Sequence, residues 1–296
     1  MSAMNGMAVS DSVRTFFVTG ATDGIGRHTA LKLASDGHRV LVHGKNPPKS
    51  EVVRNLLAEI RGRGAHSTSY LQANFLDLRD VSRLAEAVRN ETEKLDVLVN
   101  NAAIFNPDEK ASAQGYDATW AFNVLAPFKL TMLLLPVIAK GTHPRIITTS
   151  SIHQSPSLPS DVASIGLVAA EPEPFEAYSL SKLGDRLFTV GLADRLRASI
   201  DPRLSGIKCL SLDPDTTNTD MLDQQSFGFY GGRAKARDNT YTLAASNVDN
   251  LESGSFSFGG TGSADARKTD KVNFVWNLLE KQTGSVYSEE NAGAGA

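Results

Sequence analysis

The chain has 296 residues, of which 41% are hydrophobic and 21% charged, and its formal net charge is −3. This near balance of charges gives no basic surface for nucleic acid or for an anionic membrane. A single cysteine, Cys209, excludes an intramolecular disulfide, and the six histidines lack metal-ligand spacing, so no metal site is expected. The longest apolar run, residues 131–139, contains Pro136 and is too short for a transmembrane segment. We expect a cytoplasmic protein, with residues 1–12 as a flexible leader.

Short apolar blocks alternate with amphipathic stretches along the chain, which is the pattern of βαβ units. The apolar blocks end at Thr19, His43, Gln72, Asn100, Thr149 and Leu212. They are typical of strands buried on both faces, because their apolar residues do not alternate with polar ones. The helical patterns lie near residues 24–35, 48–61, 81–94, 116–138 and 176–200. Right-handed crossovers between such strands predict an α/β Rossmann fold, a doubly wound and mostly parallel sheet within three α/β/α layers.

The sequence predicts a single domain over residues 13–284, because no stretch resembles an interdomain linker. An insertion loop with many prolines covers residues 152–176, and loops of this length are usually functional or mobile. Residues 224–266 are rich in Gly, Ser and Asn, and we expect no helix longer than a few turns there. A last short helix is predicted near 271–280, followed by a disordered tail over 285–296.

The first predicted strand is followed by TGATDGIGR, in which Gly20, Gly24 and Gly26 precede a helix. Gly20 permits a tight turn, Gly24 allows the backbone to approach a pyrophosphate, and Gly26 allows close packing of helix and sheet. The N–H groups that begin the helix attract the same anion. We expect a dinucleotide here; the alternative is an ordinary strand-to-helix turn. The other residues of this turn expected to contact the cofactor are Thr22, Asp23 and Ile25.

The end of the second strand predicts which dinucleotide is bound. An acidic residue there would bind the ribose 2′-hydroxyl of NAD, whereas a basic residue accommodates the 2′-phosphate of NADP. Here Gly44, Lys45 and Asn46 follow the strand, with no carboxylate among them. Lys45 offers a charge-assisted contact to phosphate, which favours NADP(H). Two observations leave NAD(H) open, since Lys45 could simply face solvent and Asp23 lies in the glycine turn.

Four further segments follow in order along the chain. They are NNAA at residues 100–103, Asn123, Ser151 and YSLSK at residues 178–182. Together with TGATDGIG, they make the chain resemble the short-chain dehydrogenase/reductase (SDR) family from about residue 13 to 258. The segment AYSLSKLGDRLF and the long stretch before it look most like the retinol-dehydrogenase-like or carbonyl-reductase-like branch of the family.

The resemblance implies a role for each matching residue. Ser151 would hydrogen-bond the substrate oxygen, Lys182 would hold the nicotinamide ribose, and Asn123 would support a water that relays protons to Lys182. Ser150 competes with Ser151 for the serine role, although Ser151 matches the family position better. Residues 220–266 would contain the substrate lid. Further cofactor contacts are implied for Asn74, Phe75, Asn101, Ala102, Ala103, Tyr178, Lys182, Pro214, Thr216 and Thr219.

Tyr178 and Lys182 are four residues apart, so on a helix their side chains share one face. A free phenol has a pKa near 10, which is too high for a useful acid or base at neutral pH. An ammonium about 4 Å away is worth roughly 4 kcal/mol at an effective dielectric near 20, or about three pK units. We therefore expect a lowered pKa at Tyr178, which would exchange a proton with a small-molecule alcohol or carbonyl substrate.

Three positions depart from the family pattern. Asn74 replaces an Asp that contacts adenine, and Ala103 replaces a glycine. Asp215 replaces the glycine beside the nicotinamide, although Asp tolerates left-handed backbone angles better than most residues. Asp215 keeps open the alternative of a catalytically weak dinucleotide sensor, and an epimerase or dehydratase is a third possibility. The substrate, the direction of reaction and the formation of a homodimer stay open.

Overall fold

The computed structural model describes residues 12–170, 172–215, 236–260 and 262–290. Within these residues, seven parallel strands form one sheet in the order β3-β2-β1-β4-β5-β6-β7. The strands are β1 Thr15–Val18, β2 Arg39–Gly44, β3 Ser67–Gln72, β4 Val97–Asn100, β5 Arg145–Thr149, β6 Lys208–Leu212 and β7 Phe256–Ser257. The predicted doubly wound α/β fold is confirmed. The sequence does not indicate β7, because its two residues lie in a stretch rich in Gly and Ser.

Helices cover both faces of the sheet. In chain order they are α1 Gly24–Ser35, α2 Glu51–Gly62, α3 Leu78–Glu91, α4 Ala118–Trp120, α5 Ala126–Ile138, α6 Pro174–Arg197, α7 Pro202–Ser205, α8 Asn239–Ala245 and α9 Thr269–Thr283. One core joins α3, α5, α6 and α9 to strand residues such as Phe17 and Leu98, and a second joins α1, α2 and α8 to Phe16 and Val97. Because successive strand residues point to opposite faces, the unalternating apolar blocks fill both cores.

The helix predicted over residues 116–138 is interrupted. Between α4 and α5 lies a π-helical turn, Ala121–Leu125, in which the N–H of Ala126 donates to the carbonyl of Ala121. Such turns are frequent at functional sites. On the opposite side Gly184 of α6 makes room for Trp120, because a Cβ at Gly184 would lie 2.8 Å from the indole ring. This contact seats α6 against the turn that carries Asn123.

One helical stretch among the described residues, Ala118–Ile138, is long and apolar enough to cross a membrane by length and composition. Of its most apolar window, 78% is buried inside the domain. Leu134 and Ile138 are fully buried in the core that contains α3 and α6. We therefore interpret this stretch as a core helix.

The insertion loop and the chain end both pack on the domain. In the loop, the N–H of Leu158 donates to Oδ2 of Asp265 at 2.9 Å, and α6 already begins at Pro174, inside the predicted loop. At the chain end, the N–H of Tyr287 donates to Oε1 of Glu280 at 2.9 Å. Ordered packing therefore continues past the predicted start of the tail at residue 285. Much of the Gly-rich segment, 216–235, lies outside the described residues, as do 1–11 and 291–296.

Candidate active site

The site lies at the carboxyl edge of the parallel sheet. The glycine turn follows β1, the NNAA motif begins at the end of β4, Ser151 follows β5, and residues 213–215 follow β6. β1, β4, β5 and β6 are consecutive neighbours in the sheet. Open α/β sheets bind ligands outside the carboxyl ends of their strands. The fold thus brings together segments that are more than 190 residues apart in sequence.

The backbone of the glycine turn has a conformation suited to binding phosphate. Gly20 and Gly24 have φ angles of 63° and 53°, in the left-handed region that favours glycine. A Cβ at Gly20 would lie 2.8 Å from Cα of Ala102, and one at Gly26 would overlap the carbonyl of Gly20. Asp23 precedes α1 in an extended conformation, and its side chain makes no capping hydrogen bond to the helix. The residues present fit a bound pyrophosphate at the start of α1.

Asn101 braces this turn from β4. Its Nδ2 donates to the carbonyl of Thr19 at 2.9 Å, and its backbone N–H donates to Oγ1 of Thr19 at 3.0 Å. The N–H of Ala102 donates to the same Oγ1 at 3.0 Å. These bonds match the alternative role of a strand-end asparagine that satisfies backbone groups. A contact between Asn101 and the cofactor stays a prediction.

The segment after β2 is exposed at the position expected to select the cofactor. Lys45 is exposed and forms no ion pair within the described part of the chain. Its carbonyl accepts from Nε2 of Gln72 at 3.1 Å, and the carbonyl of Asn46 accepts from the Tyr70 hydroxyl at 2.7 Å. Thr22 packs against Gly44, where a Cβ would lie 2.6 Å from the threonine methyl. The backbone that presents Lys45 is therefore held by β3.

His43 is a site residue that the sequence reading overlooked. Its Nδ1 accepts from the N–H of Gly20 at 3.3 Å, and its Nε2 lies 3.2 Å from the carbonyl of Ala73. The ring also stacks on Phe75, with 4.3 Å between centroids. A neutral ring with the proton on Nε2 satisfies both contacts. Burial lowers the pKa of His43 to about 4, so the ring stays neutral at physiological pH.

Asn74 and Phe75 follow β3. Oδ1 of Asn74 accepts from the N–H of Leu76 at 3.0 Å, a local turn that competes with the predicted bond to adenine. The Phe75 side chain is 1% exposed, so any contact of this residue with a cofactor would use its backbone. The sequence alone does not distinguish a core phenylalanine from one that lines a groove.

The two serines after β5 face different partners. Oγ of Ser150 donates to the carbonyl of Lys182 at 2.8 Å, inside the core. The Ser151 hydroxyl instead acts on the Tyr178 phenol and lowers its pKa. Its Oγ also accepts from the N–H of His153 at 3.1 Å. The geometry therefore assigns the position beside the phenol to Ser151.

Lys182 lies on the same face of α6 as Tyr178, as the spacing predicts. Its Nζ is 5.6 Å from the centroid of the Tyr178 ring. The Lys182 side chain is 2% exposed, and its ammonium donates to the carbonyl of Thr149 at 3.0 Å. It also forms an ion pair with Oδ2 of Asp185 at 2.9 Å. Asp185 is a neighbour that the sequence reading missed, although its three-residue spacing from Lys182 on a helix indicates the contact.

The predicted lowering of the pKa of Tyr178 is wrong for the protein alone. Burial is the largest effect and raises this pKa, because it disfavours the phenolate. Lys182 acts in the opposite direction, but Asp185 and Asp213 add to the increase. The hydrogen bond from Ser151 lowers the pKa without reversing the direction. Desolvation and the two carboxylates together outweigh the effect of Lys182 on the pKa of Tyr178.

Asn123 is buried in the π-helical turn and holds a neighbouring loop. Its Oδ1 accepts from the N–H of Ile104 at 2.8 Å, and its Nδ2 donates to the carbonyl of Ile104 at 3.0 Å. Nδ2 also donates to Oγ of Ser181 at 2.9 Å. Among the described residues, the Asn123 side chain is thus bound to Ile104 and Ser181 rather than to Lys182. The implied relay of protons to Lys182 stays a prediction.

The segment after β6 tolerates its unusual aspartate. Asp215 has a φ of 66°, in the left-handed region that Asp tolerates better than most residues. Its Oδ2 forms an ion pair with Nε of Arg237 at 2.8 Å. Asp213 fixes the neighbouring loop, since its Oδ1 accepts from the N–H of Ile152 at 3.0 Å. Pro214 is partly buried between the two aspartates, whereas the predicted cofactor contacts Thr216 and Thr219 lie outside the described residues.

One aromatic ring contacts Tyr178, and two exposed apolar side chains lie near the site residues in sequence. Phe105 follows the loop held by Asn123, and its ring lies 5.4 Å from the Tyr178 ring. Ile152 and Phe175 are 56% and 46% exposed, next to Ser151 in sequence and one turn before Tyr178 on α6. Exposed apolar groups of this size beside a reactive group favour contact with an apolar ligand.

Comparisons with known proteins agree with this geometry. The model of the short chain dehydrogenase family matches residues 14–227. Mouse retinol dehydrogenase 13 is 28% identical over 306 residues, which span 95% of this chain and 87% of the mouse protein. An uncharacterized oxidoreductase of Schizosaccharomyces pombe is 33% identical over 214 residues, spanning 69% of this chain and 60% of the yeast protein.

Solved structures show the same architecture. An uncharacterized protein from Mycobacterium paratuberculosis superposes with a TM-score of 0.70 at 27% identity, covering 93% of this chain and 95% of the other. A short chain dehydrogenase from Burkholderia cenocepacia in complex with NADP gives a TM-score of 0.60 at 24% identity, covering 86% and 98%. The chain belongs to the short-chain dehydrogenase/reductase family, with relatives of the retinol-dehydrogenase-like branch. It is thus related to oxidoreductases that use a nicotinamide dinucleotide.

Proposed function

We propose that the protein is an NADP(H)-dependent oxidoreductase that interconverts an alcohol and a carbonyl. The observation that carries this proposal is the Tyr178 phenol, whose ring centroid lies 5.6 Å from Nζ of the buried Lys182 and on which the Ser151 hydroxyl acts. These groups lie at the same sheet edge as the glycine turn. A proton donor, an oxygen-binding hydroxyl and a dinucleotide cradle together are what hydride exchange with a carbonyl requires.

Each residue would have a distinct part in the reaction. When bound, the nicotinamide ring supplies or accepts the hydride. In reduction Tyr178 donates its proton to the substrate oxygen, while Ser151 donates a hydrogen bond to the same atom. The ammonium of Lys182 stabilises the phenolate that remains. The raised pKa of Tyr178 keeps the phenol protonated at neutral pH, which suits reduction more than oxidation.

The choice of NADP(H) rests on the segment after β2. Lys45 is exposed there, and Gly44 and Asn46 add no carboxylate. An exposed lysine without an ion pair in the described structure is available to a 2′-phosphate. Asp23 at the glycine turn is the residue that would oppose this choice.

The substrate would be a lipophilic aldehyde or ketone. Phe105 packs beside Tyr178, and Ile152 and Phe175 expose apolar surface next to Ser151 in sequence and one turn before Tyr178 on α6. The similarity to mouse retinol dehydrogenase 13 adds retinoids to the candidate substrates.

The alternative function, a dinucleotide sensor without catalysis, rests on Asp215. The ion pair between Asp215 and Arg237 weakens this alternative, because the arginine partly offsets the charge of the carboxylate. A cytoplasmic location completes the proposal and can be checked by cell fractionation.

A substrate panel tests the proposal. The purified chain is mixed with NADPH or NADH and a series of aldehydes, ketones and retinoids, and the loss of reduced-cofactor absorbance is followed. We expect turnover of apolar carbonyls with NADPH and slower turnover with NADH. Tight NADPH binding without turnover across the series would favour the sensor, and substrate conversion without net loss of NADPH would favour an epimerase or dehydratase.

A further inference from the structure

A buried carboxylate touches the lysine of the site but has no part in the reaction above. Asp185 is 1% exposed, and its Oδ2 accepts from Nζ of Lys182 at 2.9 Å. Its other oxygen, Oδ1, is buried without a hydrogen-bond partner in the described structure. Lys182 is therefore the only described cation that this carboxylate contacts.

The same ammonium also acts on Tyr178, which lies one turn earlier on α6. Its third described contact, the carbonyl of Thr149 at 3.0 Å, ties it to the end of β5. Lys182 thus lies between an acid that titrates in the reaction and an acid that does not. The charged groups that act on the phenol are Lys182 and Asp185 on α6 and Asp213 after β6.

We propose that Asp185 is a positioning residue, which anchors the Lys182 ammonium and offsets part of its charge at the Tyr178 phenol. The inference rests on the proposed function of Tyr178 and Lys182. An anion beside the ammonium makes the phenolate less favourable than Lys182 alone would allow. Asp185 therefore biases the site toward the protonated phenol, the form that donates a proton to a carbonyl.

The burial of Asp185 supports a specific electrostatic effect. A carboxylate removed from water is poorly screened, so its charge acts over several ångströms. Burial raises the pKa of Asp185 to about 6, with Lys182 acting against that increase. The pKa of Lys182 is raised because Asp185 and Tyr178 outweigh the effect of burial. The carboxylate is thus ionised, and the lysine charged, at neutral pH and above.

The variant Asp185→Asn tests this arrangement, since it keeps an acceptor for Lys182 and removes the charge. Seven residues along a helix separate Asp185 and Tyr178 by about 10 Å, at which a unit charge shifts a pKa by about one unit. We expect the acid limb of the alcohol-oxidation pH profile to move down by about one pH unit. Asp194→Asn, an exposed carboxylate on the same helix, is the matched control and should leave the profile unchanged.

A second readout does not need turnover. The ¹³Cζ resonance of Tyr178 in tyrosine-labelled protein, assigned with Tyr178→Phe, reports the phenol titration directly. We expect its midpoint to fall in Asp185→Asn and to be retained in Asp185→Glu, which restores the charge. If the wild type lacks turnover but this midpoint still falls, the proposed function fails and the electrostatic role of Asp185 stands.

Two results would overturn the inference. One is a folded Asp185→Asn protein whose phenol titration is unchanged or moves to higher pH. The other is failure of both Asp185→Asn and the smaller Asp185→Ser to fold, because the carboxylate would then serve the stability of the domain.

Discussion

Asn123 holds the backbone of Ile104 from both sides, accepting from its N–H at 2.8 Å and donating to its carbonyl at 3.0 Å. The pairing joins the π-helical turn to the loop that presents Phe105 next to Tyr178. The Asn123 side chain therefore helps to hold the loop beside the phenol.

Replacing this side chain by Asn123→Ala should lower both stability and turnover. The buried N–H of Ile104 would lose its partner, a cost of about 1–3 kcal/mol in the free energy of unfolding. A loop displaced beside Tyr178 would also reduce kcat, because reacting groups tolerate little misplacement. Urea unfolding and steady-state kinetics measure the two effects. Asn247→Ala, at an exposed asparagine, is the control. Equal losses of stability and kcat in both variants would contradict the role of Asn123 in holding the Ile104 loop.

Gly184→Ala should destabilise the domain although alanine is the better helix former. A helical glycine costs about 1 kcal/mol relative to alanine, but the added methyl would lie 2.8 Å from the Trp120 ring and 3.0 Å from Val124. Overpacking of this kind costs about 1–3 kcal/mol, so the net change is a loss. Gly62→Ala, in a helix with open space, should be neutral or stabilising. A stabilised Gly184→Ala protein would show that Trp120 does not pack closely against Gly184.

His43 should make the domain sensitive to mild acid. Its pKa is about 4 in the folded protein against 6.5 for the free group, because burial disfavours the charged ring. A lowered pKa contributes stability that is complete above pH 6.5 and is lost as the pH falls toward 4. Between pH 7 and 5 the loss is about 2 kcal/mol, and it should be absent in His43→Gln.

The measurement is urea unfolding at the two pH values in each protein. His66→Gln, at an exposed histidine, should keep the wild-type dependence on pH. The same loss of stability between pH 7 and 5 in wild type and His43→Gln would show that protonation of His43 does not cause it.

Lys45→Ala should weaken NADPH binding and leave NADH binding unchanged. A charge-assisted hydrogen bond to phosphate is worth about 1.5–3 kcal/mol, or about 10- to 150-fold in Kd. Calorimetric titration with each cofactor gives both constants. Lys49→Ala serves as the control, being an exposed lysine on the same loop. Equal weakening toward NADPH and NADH would remove Lys45 from the recognition of the 2′-phosphate.

The sequence predicts the sheet well because buried parallel strands are continuous apolar blocks. The pairing of Tyr178 with Lys182 also follows from helical spacing, and the fold confirms it. The spacing of Asp185 from Lys182 indicates their contact, but a polar residue inside an apolar pattern does not reveal that it is buried. His43 reveals neither its burial nor its partners, because these come from distant segments of the chain. The direction in which the pKa of Tyr178 shifts likewise depends on desolvation, which only the packed structure determines.

Carbonyl reduction by Tyr178→Phe tests the central claim most directly. NADPH oxidation with the most active carbonyl of the panel and the Kd of NADPH are measured in the same preparations. Loss of the proton donor should lower kcat by about 10²- to 10⁴-fold and leave the Kd within about twofold, because the phenol acts on the substrate oxygen. Undiminished turnover in Tyr178→Phe would contradict the assignment of Tyr178 as the proton donor.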